Sequence, residues 1–108
     1  MSHQTQGRTP IACRMGTLSP AQRERRSALQ KQLHAAGLGA RELADGYAFH
    51  FSAEPSTIIA AAEFISLERL CCPFFRFELT IEAETDTLWL RLTGREGVKD
   101  FSRMELAP

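Results

Sequence analysis

The stretch Glu68-Arg69-Leu70-Cys71-Cys72-Pro73 marks the point at which a helical pattern of apolar residues ends and an alternating pattern begins. Proline cannot continue a helix, and it pushes the residue before it out of helical geometry. The sequence therefore predicts a helix that ends at Cys71 or Cys72 and is followed directly by a strand.

The segments on either side of this stretch have clear periods. The helix opens at Glu54-Pro55-Ser56, and its apolar residues recur at helical spacing: Ile58, Ala61, Ala62, Phe64, Ile65 and Leu67. Beyond Pro73, apolar residues alternate with polar ones in two runs: Phe75, Phe77, Leu79 and Ile81, then Leu88, Leu90 and Leu92. With the polar turn Glu84-Thr85-Asp86 between them, these runs predict an amphipathic hairpin.

The first half of the chain repeats this order. Ser19-Pro20 is typical of an N-cap followed by proline in the first helical turn, and it predicts a helix over 20–36. The Asp45-Gly46 pair predicts a hairpin over 40–52, and apolar spacing near the end predicts a short helix over 96–105. The order α-β-β-α-β-β-α predicts an α+β fold, an antiparallel four-stranded sheet with helices packed on one face.

Length and composition limit the class of protein. With 108 residues and 44% apolar residues, we expect a single domain over 1–108 with residues 1–10 as a flexible tail. The first seven residues are polar, and no run of about 18 apolar residues occurs. We therefore expect a cytoplasmic protein without a membrane partner.

Charge is balanced overall but uneven along the chain. The first 31 residues contain six basic side chains and one acidic side chain, Glu24. Such an asymmetry can mark a nucleic-acid surface, but this cluster is short and has no interleaved aromatic residues. We therefore expect no nucleic-acid partner. We expect the acidic remainder of the chain to complement the cluster, within the fold or across a homodimer.

Glu68 lies three and four positions before Cys71 and Cys72, and residues at these spacings are neighbours on a helix. The same helical arc carries Phe64 and Ile65, so the carboxylate lies among apolar side chains and needs a partner. One carboxylate and two sulfurs are thus expected to converge. The chain has three cysteines, and a disulfide between neighbours would be strained, so reduced thiols are expected.

Thiolates favour soft ions such as zinc, copper(I) and mercury(II) over hard cations. The paired-cysteine spacings of four-ligand zinc sites are absent from the sequence. The leading hypothesis is therefore a soft-metal site with Cys71 and Cys72 as principal ligands, Cys13 as a third sulfur and Glu68 as ligand or supporting base. This hypothesis requires the segment around Cys13 to pack beside the end of the second helix.

Two alternatives remain open from the residues alone. In the first, one thiolate is a nucleophile and Glu68 exchanges protons, which would suit redox chemistry or cleavage of a carbon–metal bond. In the second, the cysteines are small core residues, the domain is structural or binds a partner, and Glu68 pairs with Arg76 or Arg91 or caps a neighbouring backbone.

The sequence resembles a group of small uncharacterised bacterial proteins. The resemblance is carried by Glu63-Phe64-Ile65, Glu68-Arg69, Cys71-Cys72-Pro73-Phe74-Phe75-Arg76-Phe77, Leu88-Trp89-Leu90 and Glu96-Gly97-Val98-Lys99, together with an isolated cysteine near the N-terminus, here Cys13. It implies that the whole chain is one domain and that the three cysteines and Glu68 act as a unit.

Overall fold

The computed structural model describes residues 10–106, and it has the predicted α+β architecture. The elements are α1 (Pro20–Ala36), β1 (Gly39–Leu43), β2 (Gly46–Ser52), α2 (Pro55–Cys71), β3 (Arg76–Glu82), β4 (Thr87–Thr93) and α3 (Lys99–Leu106), with a 3-10 turn at Met15–Thr17. Apart from Pro10, the predicted flexible tail over 1–10 lies outside the described residues.

The four strands form one antiparallel sheet in the order β1-β2-β4-β3. The two predicted hairpins therefore join through β2 and β4. Phe49, Leu90 and Leu79 share one row across the sheet and face the helices, as strand alternation requires. Phe49 and Leu90 are buried, so the core lies between this face and the helical layer.

Local sequence explains where the helices begin and end. The Ser19 hydroxyl accepts a hydrogen bond from the Gln22 amide, and the Gln22 side chain accepts one from the Ser19 amide. This capping box fixes the start of α1. Pro55 opens α2, and the helix ends at Cys71, immediately before Cys72 and Pro73. The start of α1 and both ends of α2 therefore lie where the prolines predict them.

Two boundaries differ from the sequence prediction. β3 begins at Arg76, because Pro73 and Phe74 form a turn that leaves Phe75 outside the sheet. Helix α3 begins at Lys99 instead of near residue 96. Gly97 has a φ of 97°, a left-handed conformation that interrupts a right-handed helix.

Within residues 10–106, no helix has the length and apolar character needed to cross a bilayer.

Candidate metal centre

The end of α2 holds the carboxylate and two of the thiols in one buried cluster. Glu68, Cys71 and Cys72 are each 0% exposed, and one ligand atom from each lies within 4.8 Å of the other two. Cys72 is the C-cap residue, and its amide donates to the Glu68 carbonyl over 2.7 Å. Helical spacing thus brings these three side chains together, as the sequence predicts.

The thiols and the carboxylate contact one another directly. Cys71 Sγ lies 3.4 Å from Glu68 Oε1, to which its thiol donates. The Cys71 and Cys72 sulfur atoms are 3.7 Å apart, and all three cysteines are free thiols. The cluster therefore presents two sulfurs and one carboxylate oxygen to a common point.

The segment before α1 packs against the end of α2, as the soft-metal hypothesis requires. The Arg14 amide donates to the Cys71 carbonyl over 2.6 Å, and the Thr17 hydroxyl donates to the Leu70 carbonyl over 3.0 Å. These bonds satisfy carbonyls that a helix end leaves without a partner. Cys13 is exposed and directly precedes Arg14, whose amide is bonded to Cys71. Among the described residues, the mutually close ligand atoms come from Glu68, Cys71 and Cys72 alone, so Cys13 lies beside this cluster and outside it.

Glu68 is paired with Arg26, a residue that sequence reasoning did not single out. Arg26 Nε donates to Glu68 Oε1, and Arg26 Nη2 donates to Glu68 Oε2 over 3.0 Å. The Arg26 side chain is only 12% exposed. Arg26 lies three and seven residues before Leu29 and Leu33, the buried stripe of α1, and this spacing is the pattern that could have identified it.

The partners proposed for Glu68 in the structural alternative, Arg76 and Arg91, are wrong. Arg76 is 75% exposed and lies 3.8 Å from Glu78, and Arg91 is exposed on β4. Both alternate with residues of the core-facing rows, so their side chains leave the sheet on the side away from the helices.

Arg26 is itself held by several groups. Its guanidinium lies 3.7 Å from Glu105 Oε1 of α3 and 5.9 Å from the Phe64 ring centre. Gln30 accepts from Arg26 Nη1 over 3.5 Å and donates to the Glu105 carbonyl over 2.7 Å. The site is therefore built from all three helices, although its sulfurs come from α2 and the segment before α1.

Burial and charge favour protonated thiols beside the Arg26–Glu68 pair. Burial raises the pKa of Cys71, and the Glu68 charge raises it further. Burial also raises the pKa of Cys72, with added contributions from the Cys13 thiol and the Glu68 charge. The hydrogen bond to Glu68 raises the pKa of Arg26. Near neutral pH both buried cysteines are therefore thiols, and Arg26 is charged.

The spacing of the cluster fits a bent arrangement of ligands. A tetrahedral ion with zinc-like bonds of about 2.3 Å to sulfur and about 2.0 Å to oxygen separates two sulfurs by about 3.8 Å, and a sulfur from an oxygen by about 3.5 Å. The corresponding distances here are 3.7 Å and 3.4 Å. A linear ion with the same bonds needs sulfurs about 4.6 Å apart. The apoprotein thus already has the spacing of a three- or four-coordinate site.

The described histidines, His34 and His50, lie outside the cluster. His50 stacks on Trp89 across the β2–β4 pair, with ring centres 4.6 Å apart. His34 is exposed on α1.

Comparison with protein-family models, curated proteins and solved structures finds no match to this chain.

Proposed function

We propose that this protein binds a thiophilic metal ion in the cytoplasm, with Cys71 and Cys72 as principal ligands, Glu68 as an oxygen ligand and Cys13 as the flanking sulfur. The observation that carries the proposal is the convergence of two buried thiols and a buried carboxylate within 4.8 Å. Zinc, copper(I) and mercury(II) are the ions whose preference for sulfur fits these donors.

The hydrogen bonds of Glu68 are compatible with a role as ligand. A carboxylate oxygen has two lone pairs, and Oε1 accepts from Arg26 Nε and from the Cys71 thiol. When a metal replaces the thiol proton, the lone pair that faced Cys71 becomes available to the ion. Arg26 can stay in place and orient the carboxylate, the role that outer partners of metal ligands commonly have.

The Arg26–Glu68 pair favours metal binding over the alternative of a thiol enzyme in which Glu68 donates a proton. Both carboxyl oxygens of Glu68 accept hydrogen bonds, from the Arg26 guanidinium and the Cys71 thiol, so each oxygen faces a donor and acts as an acceptor. A carboxylate can accept a proton or bind a cation, but it has no proton to donate to a leaving carbon. The pair therefore supports a binding site rather than carbon–metal bond cleavage with Glu68 as the acid.

The test is a titration of reduced protein with zinc, copper(I) and mercury(II), each followed by removal of free ion, elemental analysis and a count of thiols that remain reactive. We expect one ion per chain and protection of two or three thiols. Cys71→Ser and Cys72→Ser should each abolish tight binding while circular dichroism stays near that of the wild type.

A third variant, Glu68→Gln, tests the proposed oxygen ligand, and Glu63→Gln is its matched control. Glu63 also lies on α2 and also pairs with an arginine of α1, Arg25, but at the surface. Glu63→Gln should bind metal like the wild type. Wild-type affinity in both Cys71→Ser and Cys72→Ser would reject the proposal.

A further inference from the structure

The three sulfurs differ in access to solvent. Cys71 and Cys72 are 0% exposed, whereas Cys13 is exposed. Since the chain has three cysteines in all, Cys13 is the one thiol that an external metal complex can touch without opening the core. The residue after it, Arg14, is bonded through its amide to the Cys71 carbonyl, so Cys13 lies beside the end of α2 where the two buried thiols are.

Cys13 belongs to a strap, residues 11–17, that is fastened to α2 at few points. The backbone contact is the bond from the Arg14 amide to the Cys71 carbonyl, and the Thr17 hydroxyl adds the bond to Leu70. Ile11 packs against the core and lies close to Gly97, where an added Cβ would come within 3.0 Å of Ile11 Cδ1. These contacts on both sides of Cys13 hold it beside the end of α2.

We infer that Cys13 is the entry ligand of the site, the first protein sulfur to bind a soft ion that arrives bound to a small-molecule thiol. This inference rests on the proposed metal site. Ligand exchange at a thiolate-bound ion starts when a new sulfur attacks the metal, and an attacking sulfur must be within reach of the complex. Cys13 meets that condition, and the buried thiols of Cys71 and Cys72 are the next sulfurs that the ion can reach.

The exchange is balanced without an oxidant or a reductant. In the first two steps, at Cys13 and then at one buried cysteine, one bond forms between the metal and a protein sulfur, and one bond between the metal and a carrier sulfur breaks. The proton of each of these protein thiols leaves with the departing carrier thiolate as a free thiol. In a third step the bond from the metal to the second buried cysteine forms as the bond to Cys13 breaks, and the proton of that cysteine passes to the Cys13 sulfur. A dithiolate complex thus releases two carrier thiols, and the oxidation state of the metal does not change.

The experiment measures the rate of loading from the mercury(II) bis-glutathione complex by stopped-flow absorbance. The wild type is compared with Cys13→Ser, and the reverse reaction is followed by adding excess glutathione to loaded protein. We expect the second-order loading rate constant of Cys13→Ser to fall at least tenfold. An unchanged loading rate in Cys13→Ser would overturn the inference. A Cys13→Ser variant that loads at the wild-type rate but releases the ion faster would also overturn it.

The double variant Cys13→Ser/Ser56→Cys is the matched control for thiol number. Ser56 is exposed at the start of α2, 15 residues and therefore about 22 Å of helix from Cys71. The double variant should load as slowly as Cys13→Ser, because its exposed thiol is far from the cluster. Recovery of the wild-type rate would show that any surface thiol suffices and would overturn the entry role.

The two proposals fail in different ways. If the wild type takes no mercury(II) from the complex or in a direct titration, the metal site itself is wrong. If the wild type and Cys13→Ser bind the ion at the same rate, the site stands and the entry role is wrong.

Discussion

Arg26 of α1 forms a bidentate ion pair with Glu68 of α2, and the same carboxylate accepts a hydrogen bond from the Cys71 thiol. Arg25 and Glu63, on the same two helices, form a pair of the same kind at the surface. The two pairs differ chiefly in burial, since Glu68 is 0% exposed and Glu63 is 38% exposed. A comparison of the two pairs therefore separates the contribution of charge pairing to stability from that of burial.

Arg26→Ala should strongly destabilise the apoprotein, because it leaves the Glu68 carboxylate buried without its main partner. Removing one member of a buried pair typically costs about 3–5 kcal/mol. The measurement is urea denaturation at neutral pH, with Arg25→Ala as the control. Arg25→Ala should change stability little, because exposed pairs are screened by water. Equal losses in the two variants would contradict the assigned role of burial.

Glu68→Gln should lower metal affinity at least tenfold while the chain stays folded. Glutamine keeps the size of the side chain but has no negative charge to offer the ion or Arg26. Competition with a chromophoric chelator measures the affinity, and Glu63→Gln serves as the control. If Glu68→Gln bound as tightly as Glu63→Gln, the carboxylate would have no part in coordination.

Metal affinity should rise with pH, because burial and the Glu68 charge raise the pKa of Cys71, and burial also raises that of Cys72. An ion must displace the protons of both thiols to bind them as thiolates. Between pH 6 and pH 8, the apparent association constant should rise by about tenfold per pH unit for each displaced proton. Calorimetry in buffers of different ionisation enthalpy counts the protons released. Release of no protons would be inconsistent with the two thiols as ligands.

The apoprotein should lose stability at alkaline pH, because the pKa values of its two buried thiols are raised by folding. The folded thiols have raised pKa values, whereas unfolded thiols titrate near about 8.5. Above that pH the unfolded state loses its thiol protons first, so the free energy of unfolding falls as pH rises. Below it, both states are protonated and this contribution is fully present. Urea denaturation between pH 7 and pH 10 should show a smaller decline in Cys72→Ser than in the wild type, and parallel curves would count against buried neutral thiols.

The parts of the fold and site set by local sequence were predictable. Ser19, Pro20, Pro55 and Pro73 fix helix limits, and helical spacing alone brings Glu68 beside Cys71 and Cys72. Strand alternation also identified the core-facing rows of the sheet. Only the starts of β3 and α3 differed, because a turn after Pro73 and the left-handed Gly97 intervene.

The non-local parts of the site could not be derived in the same way. The position of Cys13 depends on bonds from the chain before α1 to the carbonyls at the end of α2. The choice of Arg26 over Arg76 or Arg91 depends on how α1 lies against α2, and the spacing of apolar residues gives a helix face but not its partner. The spacing of Arg26 from Leu29 and Leu33 indicates the buried face of α1, but it does not identify the acid with which Arg26 pairs.

The bond from the Arg14 amide to the Cys71 carbonyl has a practical consequence. It links the backbone of the strap to the residue whose side chain contacts both Cys72 and Glu68. The nuclear magnetic resonance signal of this one amide should therefore act as an internal reporter, since its chemical shift and hydrogen-exchange rate depend on the geometry at Cys71. Events at a buried thiol can in this way be followed through a single backbone proton, without attaching a label to any of the cysteines.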